Sequence, residues 1–213
     1  MKTKMTQQQL NFDLKPEALK KQKKLDKVKK NISKELVCPL KDAATSLVFG
    51  KGNPDADLLI IGEAPGKNED LQGLPFVGAA GKNLNKLLNT INLNLSDIYI
   101  ANILKYRPPK NRDPTPAEIK NHTPYLIDQI KIIKPKVIAT LGNFATKFVL
   151  SEFKVENMKK IEGISKLHGQ PINLTIKNEK YIVIPLYHPA AMIYNRKLQK
   201  TIEQDIKIIK EYF

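Results

Sequence analysis

Cysteine occurs once in the 213 residues, at Cys38, so the chain can form no internal disulfide and suits a reducing compartment. No apolar run reaches the length of a membrane span, and the N-terminus has no apolar signal-peptide core; the expectation is a cytoplasmic protein, nucleoid-associated if bacterial. No internal repeat is present. Acidic residues are scarce, 21 against 36 Lys and Arg, and the resulting net charge of +15 favours an anionic polymer as partner, nucleic acid first. Residues 1–34 carry 11 lysines against three acids. They read as a disordered or loosely helical tail able to touch DNA phosphates, ahead of one globular domain over 35–213.

Glycine clusters where a phosphate loop would be, in "LLIIGEAPGKNEDLQGLPFVGAAG", Leu58 to Gly81. A Walker loop is excluded there. Ile61 and Phe76 stand where its first glycine belongs, and Asn68 and Asn83 where it needs Ser or Thr. Nor does any pair of glycines in that stretch sit one residue apart, as a dinucleotide fingerprint requires.

What is present is an alternation of strand and helix. "DLLIIG", "DIYIANIL", "KVIATLG" and "YIVIPLYH" read as buried strands. Leu84, Leu87, Leu88 and Ile91 fall on one helical stripe, and Ile119, Leu126, Ile130 and Ile133 on another. The pattern predicts a three-layer α/β/α sandwich around a mostly parallel, four-stranded sheet. A hairpin turning at Asn178 and a closing helix over 198–213 complete it. Ligands of such folds bind at the carboxyl ends of the strands, which here carry "GEAPG", "NILKYRPPKNRDPTP", "LGNFA" and "HPAAMIYNR".

In order and spacing, "GEAPGKNEDLQGLPFVGAAG", "NILKYRPPKNRDPTPAEI", "LG" and "YHPAAMIYN" resemble the signature regions of the family 4 uracil-DNA glycosylases, over about Cys38 to Arg196. The resemblance implies that uracil is flipped out of DNA and its N-glycosidic bond hydrolysed, leaving an abasic site. Such chemistry needs a donor for the departing uracil anion and an anionic or dipolar group near the sugar cation. On the matching positions His188 is the donor to uracil O2, Glu63 the carboxylate, Glu69 its support, and Asn102 the amide that reads O4 and N3. Phe76 is the stacking ring, and Asn111 a further candidate at the water. The best-known uracil glycosylases have an aspartate two residues after the motif glycine, where this chain has Ala64. Gly62 and Gly66 are expected to admit the flipped nucleotide to backbone amides, and Gly78 and Gly81 to allow close packing at a helix start whose dipole favours an anion. Lys105, Arg107, Arg112 and Arg196 are candidate phosphate contacts, and Met192 to Tyr194 a candidate wedge.

The family resemblance also implies four cysteines holding a [4Fe-4S] cluster. Here Cys38 fills one position and Glu35, Tyr106 and His122 the others; one thiolate does not make a cluster site, and Cys38 with His122 falls short of a zinc site. The expectation is therefore no cluster and no other cofactor. "QLNFDL", Gln9 to Leu14, has the form of peptides that bind bacterial sliding clamps, so the replication clamp is a candidate partner of a chain otherwise expected to be monomeric and off the membrane.

Overall fold

The computed structural model describes residues 15–176 and 178–212. Its elements in order are α1 (Pro16–Glu35), α2 (Pro39–Ala43), β1 (Lys51–Gly52), β2 (Leu58–Gly62), α3 (Lys67–Gln72), α4 (Ala79–Thr90), β3 (Ile98–Asn102), α5 (Pro116–Ile133), β4 (Val137–Leu141), α6 (Gly142–Leu150), α7 (Ile164–Leu167), β5 (Ile172–Ile176), β6 (Glu179–Leu186), α8 (Ala191–Tyr194) and α9 (Leu198–Ile208). They build one sheet in the order β1-β3-β2-β4-β6-β5.

The central strands β3, β2, β4 and β6 pair in parallel. Every residue of β2, β3 and β4 is buried, as expected of parallel strands covered on both faces. Alternation divides their side chains between two cores. Leu59, Ile61, Tyr99 and Ile138 pack with α1, α5 and α6, whereas Leu58, Ile60, Ile98 and Val137 pack with α4 and α9. Both predicted helical stripes point inward accordingly, Ile91 from just beyond α4.

Six strands, not four, make the sheet. The two additions are antiparallel edges: β1 is only two residues long, too short to leave a periodic signal, and β5 is the half-exposed outer arm of the hairpin. Asn178 turns that hairpin at φ 69°. The closing helix ends at Ile208 and continues as a short 3₁₀ turn, Ile209–Glu211.

The lysine-rich segment 16–34 is also ordered differently from a tail. It forms α1, with Pro16 at the helix start and Ala18, Leu25, Val28 and Ile32 buried. Leu25 and Ile32 are wholly inaccessible and join the core beside α5. Lys21 donates to Asp55 Oδ1 at 2.6 Å and to the Ile133 carbonyl at 2.8 Å, so it serves the fold. Burial of Leu25, Val28 and Ile32 is worth about 1.5–3 kcal/mol each and holds this lysine-rich helix on the core. The boundary that composition puts at residue 34 thus falls inside a packed helix, and Gln9 to Leu14 lie outside the described residues.

Candidate active site

Parallel pairing brings the carboxyl ends of the central strands to one edge, with Gly62 level with Asn102 and Leu141 level with Leu186. Beyond the strands, Ile103 N donates to Gly62 O and Leu104 N to Glu63 O, both at 3.0 Å, extending the ladder into the loops. The cavity at this edge, about 350 Å³, is lined by Glu63, Ala64, Gly66, Glu69, Phe76, Asn102, Asn111, Arg112 and His188. Pro65, Ala80, Pro108 and Ala190 complete the lining. These small residues carry no functional group from which sequence could have picked them.

Phe76 is held in a costly backbone conformation, φ 51°, a region a non-glycine residue adopts only when its surroundings enforce it. Glu69 Oε1 accepts from the amides of Val77 and Gly78 at 2.9 and 2.8 Å, and Lys51 Nζ donates to the Phe76 carbonyl at 3.3 Å. A Cβ on Gly81 would stand 2.0 Å from that carbonyl oxygen, and one on Gly62 2.4 Å from Asn102 Oδ1 and 2.9 Å from the Phe76 ring. Gly62 therefore makes room for two side chains, where sequence suggests space for a nucleotide at the backbone. Just before α4 the Glu69 carboxylate takes the Gly78 amide, leaving Gly78 none for a phosphate. Lys51 was missed because a lone lysine in a sequence reads as solvated.

His188 closes the other wall, its ring centroid 5.9 Å from that of Phe76. Its Nδ1 accepts from the Ala190 amide at 3.2 Å, which puts the proton on Nε2. Burial lowers its pKa, with Glu69 opposing. Neutral His188 is thus an Nε2–H donor. Gly142, at φ 86°, leaves room beside it: a Cβ there would lie 3.2 Å from that of His188.

Burial, and secondarily Asp113, raise the Glu63 pKa to about 7. On the same rim Arg107 Nε donates to Asn111 Oδ1 at 2.7 Å, in a loop with Lys110 and Asn111 at φ 54° and 56°. The arginine occupies the amide oxygen and leaves Asn111 its NH₂. Arg112 makes a two-pronged pair with Glu118, Nη1 to Oε2 at 2.9 Å, which lowers the Glu118 pKa to about 2 with help from the Thr115 cap of α5.

Residues 49–211 match the model of the uracil DNA glycosylase superfamily. The chain belongs to that superfamily. It is similar to the type-4 uracil-DNA glycosylases of Archaeoglobus fulgidus, 43% identical over 88% of this chain and 92% of the relative, and of Sulfurisphaera tokodaii, 44% identical over 88% and 84%. The type-4 enzyme of Thermotoga maritima is 38% identical over 87% of this chain and 92% of its own length.

Not every candidate DNA contact of this superfamily member reaches the surface. Lys105 is wholly buried and is no phosphate contact. Met192 and Arg196 line a separate cavity of about 510 Å³ with Asn83, Lys86 and Glu203. In the candidate wedge Tyr194 is 88% exposed and Ile193 51%, so these two present the apolar surface.

The donors at the cluster positions do not fit an iron-sulfur cluster. Cys38 is buried as the sole thiol, and Glu35 is exposed at the end of α1. The Tyr106 ring packs edge-on against His122 at 6.1 Å. His122 Nδ1 accepts the Lys105 amide proton at 2.8 Å; burial and then Lys105 lower the His122 pKa to about 4, which keeps it neutral.

The Glu63 shift has a sign that stability can test. Its folded-state pKa lies above the ordinary value of 4.5, so the carboxylate destabilises the fold above pH 7 and not below 4.5. Glu63→Gln is expected to raise the melting temperature at pH 8 and leave it unchanged at pH 4.5. Equal shifts at both pH values would contradict this.

Proposed function

We propose that this protein excises uracil from DNA by hydrolysing its N-glycosidic bond. The observation that carries the reading is the convergence of Phe76, Asn102, Glu63 and neutral His188 on one cavity at the strand ends, in a chain similar over most of its length to type-4 uracil-DNA glycosylases. DNA is the substrate and basic residues attract it; no described helix is long and apolar enough to cross a membrane.

The flipped base stacks on Phe76, a contact worth about 1–3 kcal/mol. The Asn102 amide donates to uracil O4 and accepts from N3, a pairing that cytosine cannot match. As the bond between C1′ and N1 lengthens, electrons pass to the base and charge gathers on O2, where His188 Nε2–H meets it. A preorganised donor of this kind lowers the barrier by about 3–4 kcal/mol. Glu63, as carboxylate, faces the sugar cation and takes the proton of the water that adds to C1′. Glu69 acts through the Phe76 loop. Asn111, its Oδ1 already accepting from Arg107 Nε, serves the water as a donor through its NH₂.

The same reading works without an iron-sulfur cluster or other cofactor, because contacts of Tyr106 and His122 occupy the space between α5 and the "RPP" loop. A preparation with no stoichiometric iron is expected to convert a single-uracil oligonucleotide into an alkali-labile strand. His188→Ala should slow this about 100-fold or more with its fold retained. No cut strand at high enzyme would overturn the catalytic reading, and one cluster's iron per chain the cofactor reading.

"QLNFDL" further supports docking on a sliding clamp through Gln9 to Leu14. Removing residues 1–14 should abolish clamp pull-down; unchanged capture would exclude the motif.

A further inference from the structure

Lys105 follows β3 by three residues and turns back beneath its end. Its side chain is fully buried, and among the described residues no carboxylate lies within ion-pairing distance. Nζ donates to the main-chain oxygen of Asn102 at 2.7 Å and to Gln129 Oε1. Gln129, itself fully buried on α5, is fixed in turn by donating Nε2 to the Phe49 carbonyl at 3.0 Å. A second buried α5 side chain, His122, accepts the Lys105 amide. Two inward polar groups of α5 are thus committed to one lysine.

A buried ammonium without a counter-ion is expensive, and an apolar residue of similar volume commonly serves a core at least as well. The lysine also lies in the segment that ties the site together, since the amides just before it bond to Gly62 and Glu63. A group kept against its own desolvation and aimed at the residue that reads the base has a place in function.

We propose that Lys105 is a positioning residue for uracil excision: its Nζ, donating to the Asn102 carbonyl, pins the Asn102 peptide and thereby sets the angle at which the Asn102 amide meets uracil. This rests on the assignment of Asn102 as the base-reading group. Asn102 is the last residue of β3, and the peptide that carries its carbonyl has two anchors, Ile103 N to Gly62 O and Lys105 Nζ on the carbonyl; without the second, that peptide tilts and turns the Asn102 side chain with it. Lys105 touches neither DNA nor base.

A double-mutant cycle on the single-turnover excision rate separates positioning from simple support of the core. Lys105→Met, which keeps the length of the side chain, is expected to slow excision about tenfold in the parent. With Asn102→Ala already in place it should change the rate less than about twofold, because no amide remains to orient. An equal loss in both backgrounds, or none in the parent, overturns the proposal. An unchanged rate for Asn102→Ala alone would instead overturn the site assignment beneath it. Melting temperatures are measured on all four proteins; should Lys105→Met not fold, Lys105→Leu, which likewise has no donor, takes its place in the same cycle.

Discussion

The carboxylate of Glu69, bonded to the amides of Val77 and Gly78, is the interaction on which the cavity depends. Those amides follow Phe76, whose left-handed backbone is a strained conformation costing about 1–3 kcal/mol. Glu69 on one side and Lys51 on the other hold the peptide, and Gly81 gives its carbonyl somewhere to go. With that loop fixed, the Phe76 ring lies 5.9 Å from that of His188, tilted against it, and both face the cavity. Neither wall has to be built when DNA arrives.

The rest of the protein supplies the frame for this clamp. Parallel pairing sets Gly62 level with Asn102, and the bonds from Ile103 and Leu104 carry that register into the loops that bear Glu63. Behind them α5 contributes Gln129 and His122 to Lys105, and α1 covers the same face of the sheet with Leu25, Val28 and Ile32. Between α5 and the "RPP" loop, the Tyr106 ring packs edge-on against His122, whose Nδ1 accepts the Lys105 amide. His122 Nε2 is buried with no hydrogen-bond partner among the described residues.

Much of the fold was legible in the sequence because short, wholly apolar strands and clean helical stripes leave strong periodic signals. Glu63, Phe76, Asn102 and His188 were legible through their motifs, and all four line the cavity. What sequence misread has a common cause: residue type was taken for environment. Lysine reads as solvated, so α1 looked like a tail, Lys105 like a DNA contact, and Lys51 like nothing in particular, although burial of each is decided by contacts far along the chain. For Glu69, sequence leaves open support of Glu63 or bonding to loop amides, and its partners are the loop amides of Val77 and Gly78. Of the edge strands, β1 escaped because it is two residues long, and β5 is the outer arm of the predicted hairpin, which the four-strand count leaves out.

If Glu69 acts by holding the loop, its charge is dispensable but its acceptor oxygen is not. The single-turnover rate of uracil excision for Glu69→Gln beside Glu69→Ala tests this most directly. The glutamine retains an oxygen for both amides, so its rate should stay within about tenfold of the parent, while the alanine variant, with Phe76 released, should fall about 100-fold or more. Equal, severe losses in both variants would contradict the account and place the negative charge itself in the chemistry.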